Sequence, residues 1–431
     1  MKEKPLKKYL FILITFFSCF AYSQNYDFSK YTNLLSKEIN KGNYPGFVTL
    51  IYKDNELIFS DTRGYKDLES QEPLRENSLF RIYSMSKPIT GAALMILIEQ
   101  GKARLTDPVE KFIPEFKSTK VLNKKGGLDD LQRPITLLDL ATHSSGLTYS
   151  FVDRGKVKEI YDEENIYPYY FLDNVSLVRP ATKSYPDVCT FSEKVASLPL
   201  VHQPGMRWTY SIGMDILGCV IERASGMSFS EFLKKNLFDP LEMDDTFFQV
   251  PTNKKSRMTD LYAHKKGFKE FGIDIPKNIK AYKNKLFLLD PKEDSFFFQA
   301  ASIEDGGSGL VSTAADYMKF GKMLLNKGTY DGVQVMKEET VALMTKNHAE
   351  NKAKPFSFPA FGMGVTVGVA LDAKKLRMKR GNDSFFWGGA ARTLFWVDPK
   401  NNLVFVHMSQ VLGSPRLQNK IETSVYKALG F

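Results

Sequence analysis

The sequence predicts an α/β (α+β) chain whose antiparallel sheet is assembled from both ends and flanked by helices, with a helical region inserted between its halves. Two hairpin patterns and the helical spacing between them carry this reading. Near the start, Phe47, Thr49 and Ile51 alternate, Lys53-Asp54-Asn55 forms a turn, and Leu57, Ile58 and Phe59 follow, so Gly46 to Ser60 reads as paired strands. Near the end, Thr393 to Val397 and Leu403 to Met408 flank the turn Asp398-Pro399-Lys400-Asn401-Asn402, and a helix from about Pro415 closes the chain. Between them, Thr136 to Thr142, Met214 to Ser225, Ser228 to Leu237 and Thr313 to Asn326 carry helical spacing, with Thr313 as a cap. Thr148 to Val201 and Gln249 to Ala300 read as long irregular stretches, and such loops often form binding walls.

The chain has 431 residues, 43% of them hydrophobic, enough for a large core. Residues 1 to 23 read as a secretory signal: Lys2, Lys4, Lys7 and Lys8, an apolar run from Tyr9 to Ala21, then the small-residue site Ala21-Tyr22-Ser23. That run is too short to span a bilayer comfortably. The expectation is an exported protein, periplasmic or extracellular, with no transmembrane segment in the mature chain. A lipid anchor at Cys19 is disfavoured, because Phe16 stands where Leu would be usual. The mature part, residues 24 to 431, is expected as one domain, with a sheet lobe from about 24–104 and 305–431 and a helical lobe from about 105–304.

Removing four lysines and one glutamate with the signal takes the formal charge from +10 to +7. Lys374, Lys375, Arg377, Lys379 and Arg380 form the densest basic cluster; the alternation of Lys375, Arg377 and Lys379 reads as a solvated strand face, and the cluster alternatively as a surface for association with an anionic envelope. No helix-turn-helix, zinc-finger or aromatic RNA-binding signature accompanies the charge, so nucleic acid is not an expected partner. Only Cys189 and Cys219 remain in the mature chain. Cys219 reads as a small core residue and Cys189 as part of a loop, with a bridge between them disfavoured.

The chemistry centres on Ser84-x-x-Lys87, within Leu79-Phe80-Arg81-Ile82-Tyr83-Ser84-Met85-Ser86-Lys87-Pro88. If a helix starts near Ser84, residues three apart share a face, so the amine reaches the hydroxyl and can take its proton during attack on a carbonyl. Ile89 to Ile98 continue an apolar helix that Gly101 can end, and Pro88 is tolerated because it falls in the first turn. Ser424-x-x-Lys427 matches the same pattern but lies on an amphipathic C-terminal helix, where a solvated face explains it. Tyr210 precedes the helix from Met214 and could relay a proton between nucleophile, lysine and leaving group. In Trp387-Gly388-Gly389-Ala390, paired glycines let a substrate carbonyl approach the backbone, and the N–H of Ala390 could join that of Ser84 as an oxyanion hole.

In this order the pieces resemble the serine β-lactamase and penicillin-binding-protein superfamily, closest to the class C-like branch that includes the family VIII carboxylesterases. The resemblance rests on Phe80 to Pro88, Leu137-Leu138-Asp139-Leu140-Ala141-Thr142-His143-Ser144-Ser145-Gly146-Leu147, Tyr210-Ser211-Ile212-Gly213-Met214-Asp215-Ile216-Leu217-Gly218, Gly309-Leu310-Val311-Ser312-Thr313 and Trp387 to Ala390. It implies Ser84 as nucleophile, Lys87 and Tyr210 as the proton-handling pair, and a site between a β-lactamase-like sheet and an all-helical lobe. Trp387, Gly388, Gly389 and Ile212 become the expected substrate-binding residues. Two departures matter: Ile212 stands where the family's β-lactamases carry Asn, and Trp387-Gly388-Gly389 where they carry Lys-Thr-Gly, as in the esterase branch. The five histidines form no His-Glu-x-x-His pair, so no metal or cofactor is expected, and no Gly-x-Ser-x-Gly elbow occurs. His143 is expected to fix a turn. The expected function is hydrolysis of a small-molecule ester. The alternatives are a D-amino-acid-type peptidase or amidase, or β-lactamase, on cell-wall-like substrates, and a catalytically silent envelope or ligand-binding protein.

Overall fold

A computed structural model describes residues 26–166, 185–270, 275, 279–283, 285–299, 303–349 and 358–431. The expected signal segment lies outside the described residues. The main sheet has eight strands in the order Phe361–Met363, Gly368–Ala370, Phe385–Gly388, Leu394–Asp398, Leu403–Met408, Gly46–Lys53, Glu56–Asp67 and Glu72–Pro73, and every neighbouring pair is antiparallel. Both hairpins expected from the sequence are present, and their inner strands pair with each other, Val48 opposite Met408 through Lys53 opposite Leu403.

Those inner strands are buried on both faces, which is why their sequences run apolar almost without a break. Phe47, Ile51 and Phe405 face a core shared with Tyr31 and Leu35 of the helix Ser29–Asn40 and with Ile421 and Val425 of the C-terminal helix Gln418–Ala428. Val48, Leu50, Val404 and Val406 face the opposite core, with the helix Ala314–Leu325 and beyond it the helix Ser86–Glu99. That last helix is apolar on nearly every side, as a helix enclosed by others must be. Thr313 caps Ala314–Leu325 by accepting from the Asp316 N–H at 3.1 Å. Gly226, at φ 75°, ends the helix Gly213–Ser225 in the left-handed conformation that glycine adopts without strain.

Several expectations are corrected. The stretch from Thr148 to Val201 contains the helices Lys156–Glu163 and Val188–Ala196, and Gln249 to Ala300 contains the strands Leu261–Ala263, Ala281–Tyr282 and Leu286–Asp290. Among its described residues the inserted region therefore combines helices with short strands, which include the hairpin Lys120–Leu122 with Leu128–Asp130. Cys189 lies on a helix, not in a loop, because Asp187 caps it through the Thr190 N–H at 2.7 Å. It is disulfide-bonded to Cys219 on the neighbouring helix, with the two Cα atoms 4.8 Å apart. The basic cluster is not a strand face. Asp372 accepts from the Lys375 N–H at 3.0 Å and Arg377 takes φ 57°, so the segment turns repeatedly. Arg380 points inward, pairs with Glu422 at 2.8 Å and stacks over Phe386 and Trp396.

Candidate active site

The segment before Ser84 is held rigidly from several sides. Arg81 is fully buried, donates to Asp290, to the Thr259 carbonyl at 2.6 Å and to Ser295 at 2.9 Å, and its backbone is bracketed by the Gln410 amide. Tyr83 follows at φ 43°, a left-handed conformation that is rare for an aromatic residue and costs strain the surrounding contacts must offset. Ser84 then lies in a single tight turn, Tyr83–Met85, that leads directly into the helix starting at Ser86. The Met85 carbonyl accepts from the Tyr317 hydroxyl at 2.8 Å and Ser86 Oγ accepts from the Leu310 N–H at 3.1 Å, so the turn cannot slide.

Lys87, on the first turn of that helix, is 1% exposed. Its Nζ lies 3.4 Å from Ser84 Oγ and donates to the Gly307 carbonyl at 2.7 Å. The longer contact is weak as it stands, as such bonds often are before substrate tightens them. The Tyr210 hydroxyl donates to Ser84 Oγ at 2.7 Å, and Lys87 Nζ sits 4.8 Å from the centre of the Tyr210 ring and 5.4 Å from that of Tyr149. Ser84, Lys87 and Tyr210, which are 126 residues apart at the extreme, thus meet around one oxygen.

His143 orders the Tyr210 side. It takes φ 59°, its carbonyl accepts from the Thr209 N–H at 2.8 Å, and its Nδ1 accepts from the Ser211 N–H at 3.2 Å. The ring packs 4.7 Å from that of Tyr210 and 6.2 Å from that of Trp387. Burial and the nearby Lys87 charge hold its pKa well below the ordinary imidazole range, so it stays neutral beside the lysine.

Opposite Ser84 stands the end of the strand Phe385–Gly388. A Cβ on Gly389 would lie 2.4 Å from the Ile82 carbonyl oxygen and 2.2 Å from Thr393 Oγ1, so only glycine lets this strand end lie against the nucleophile turn. Trp387, Gly388, Gly389 and Ala390 line a cleft of about 920 Å³ together with Ser84, Lys87 and Tyr210. Tyr149, Phe151 and Trp208 add an aromatic wall. Ile212 is not brought to this wall. It is fully buried at the start of the helix Gly213–Ser225, which turns its side chain into the core, so it does not serve as a substrate-binding residue.

Sequence reasoning missed Tyr149, Gly307, Asp215 and Asp305. Asp215 lay inside the Tyr210 motif, but nothing local marked it as a neighbour of Lys87. Among the described residues, no group of three or more His, Cys, Asp or Glu side chains is placed to hold a metal, and no helix is long and apolar enough to cross a membrane.

The Beta-lactamase family model matches residues 32–428. The chain belongs to that family. Among its relatives, Protein Rv1367c of Mycobacterium tuberculosis is 31% identical over 89% of this chain and 95% of its own length. Esterase EstB of Burkholderia gladioli is 26% identical over 82% of each chain. The solved structure of EstCE1, described as a hydrolase with promiscuous acyltransferase activity, superposes with a TM-score of 0.71 at 22% identity, covering 92% of this chain and 98% of that one. This β-lactamase-family protein is a serine hydrolase of β-lactamase fold, and its relatives include esterases, acyltransferases and peptidases.

Proposed function

We propose that the protein cleaves carboxylic esters through an acyl-enzyme on Ser84. The observation that carries this reading is the convergence of Tyr210 Oη at 2.7 Å and Lys87 Nζ at 3.4 Å on one serine oxygen that opens to the cleft. Ser84 Oγ attacks the ester carbonyl carbon while its proton passes to Lys87, with Tyr210 carrying the proton onward to the leaving alcohol oxygen as the C–O bond breaks. Water then takes the alcohol's place and releases the acid. The N–H groups of Ser84 and Ala390 are assigned to the developing oxyanion, where a single donor contributes roughly 10² to 10³ in rate.

Trp387 favours an ester over a β-lactam. A lysine at that place would meet a substrate carboxylate, and a charged hydrogen bond of that kind contributes about 1.5 to 3 kcal/mol. The indole offers none. Ile212, in the core, leaves the amide contact of an Asn unmade as well. The cleft lies near the top of the volume range of small-molecule sites, roughly 300 to 1,000 Å³, so the natural ester is proposed to carry an acyl or alcohol part larger than a short chain.

The expected result is that p-nitrophenyl butyrate is turned over with kcat/KM at least about 10²-fold above that for a chromogenic cephalosporin, both measured on the purified mature protein. Comparable efficiency on both would restore a β-lactamase reading. Export is part of the same proposal, supported by the N-terminal segment and by the Cys189–Cys219 disulfide, which suits an oxidising compartment. N-terminal sequencing of protein recovered outside the cytoplasm should begin at Gln24; an intact Met1 would remove that part.

A further inference from the structure

Behind Lys87 lies a second charged layer that the acyl-transfer scheme does not use. The peptide unit between Gly307 and Ser308 receives Lys87 Nζ on its oxygen at 2.7 Å and gives its N–H to Asp305 Oδ1 at 2.8 Å. Lysine and carboxylate thus sit at opposite ends of one peptide, and the two hydrogen bonds polarise each other. The Gly307 N–H is shared between Asp305 Oδ1 at 2.7 Å and Asp215 Oδ1 at 3.0 Å. Both carboxyls are fully buried. Asp305 also accepts from the Ser308 hydroxyl, so three donors face it. Asp215 accepts the shared Gly307 N–H, and among the described residues no donor reaches its buried Oδ2.

Two ionised carboxylates this close in a dry site repel strongly, and an ionised oxygen without a donor is costly to bury. Three donors face Asp305 and one shared donor faces Asp215, so Asp215 is the better place for a proton. We propose that Asp215 and Asp305 are a proton-sharing pair of positioning residues that keeps a single negative charge behind Lys87 and thereby sets the pH at which Lys87 gives up its proton. The pair rests on the reading of Lys87 as the base. Burial first, and the Asp305 carboxylate second, push the Asp215 pKa well above the ordinary range, with the Lys87 charge opposing them. The other groups around Lys87 are the Ser84 hydroxyl, the phenols of Tyr210 and Tyr149, and the neutral His143. A Cβ on Gly307 would meet the Tyr149 hydroxyl at 2.8 Å and Asp215 Oδ2 at 3.1 Å, so that phenol also borders the pair. Thr90, one turn beyond Lys87, donates to the Gly306 carbonyl at 2.6 Å and holds the strand of glycines in place.

The sign follows from the charges. A negative group behind Lys87 favours the ammonium form and raises the pH at which the free amine appears. Removing that charge lets the amine form at lower pH. In Asp305→Asn the acidic limb of kcat/KM for p-nitrophenyl butyrate should therefore move to lower pH by about one unit, the usual effect of losing a close opposite charge. In Asp215→Asn, which replaces a neutral acid by a neutral amide, the limb should keep its position even where the amplitude falls. A shift in Asp215→Asn equal to that in Asp305→Asn, or no shift in either, overturns the pair. Ser84→Ala run alongside separates this from the nucleophile reading: a silent Ser84→Ala with unmoved limbs in both aspartate variants removes the pair alone. Should Asp305→Asn fail to fold, difference infrared spectroscopy decides. At pH 7 the wild-type protein should show the carbonyl band of a protonated carboxylic acid that Asp215→Asn lacks, and identical spectra would refute the proposal.

Discussion

Ser84→Ala is expected to lower kcat/KM for p-nitrophenyl butyrate by roughly 10⁴- to 10⁶-fold, the scale seen when a nucleophile is removed from an otherwise intact hydrolase. Among the described residues the side chain makes no hydrogen bond beyond those to Tyr210 and Lys87, and the turn that carries it is fixed by Arg81, Tyr317 and Ser86. The variant should therefore fold as the wild type does, with the loss confined to chemistry. A fluorophosphonate should label the wild-type protein on the peptide containing Ser84 and leave the variant unlabelled. Labelling of Ser84→Ala at the wild-type level would place the nucleophile elsewhere, and absence of labelling in the wild type would favour a silent binding protein.

Lys87→Ala and Tyr210→Phe should each lower kcat by roughly 10² to 10⁴, the range for positioned acid–base groups. Because both act on Ser84 Oγ, the double variant should be little worse than the poorer single one. Fully multiplicative losses would mean two separate proton paths. Full activity of Tyr210→Phe between pH 6 and 9 would reduce the phenol to a packing residue. Lys87→Ala also strips a buried donor from the Gly307 carbonyl, so its unfolding midpoint needs to be measured beside its turnover.

What could be read from the sequence is what local chemistry determines. The hairpins at Gly46 and Thr393 announce themselves through alternation and turn residues, and Ser84 with Lys87 through helical spacing, although the serine lies in the turn before the helix. What escaped depends on partners far along the chain. Arg380 sits in a run of basic residues as though exposed, and only Glu422 and the rings of Phe386 and Trp396 make its burial affordable. Asp215 becomes a neighbour of Lys87 only through Gly307, 92 residues from it. Ile212 was expected at the cleft from its place in the Tyr210 motif, yet the backbone entering the helix Gly213–Ser225 sends the side chain inward. Cys189 and Cys219 approach because two helices pack side by side, a relation that spacing alone cannot express.

The pairing of the first and last inner strands of the main sheet bears on how the molecule comes into being. Thr49 and His407 face each other across that pairing and bond at 2.8 Å, yet they are 358 residues apart. Closing so long a loop costs entropy before any contact offsets it, so the sheet is among the slow steps of folding. During synthesis the strand Gly46–Lys53 has its hairpin partner on one side and an open, apolar edge on the other until the strand Leu403–Met408 is made. A nascent chain therefore stays unfinished at its centre until that last inner strand is made, a state that chaperones can hold.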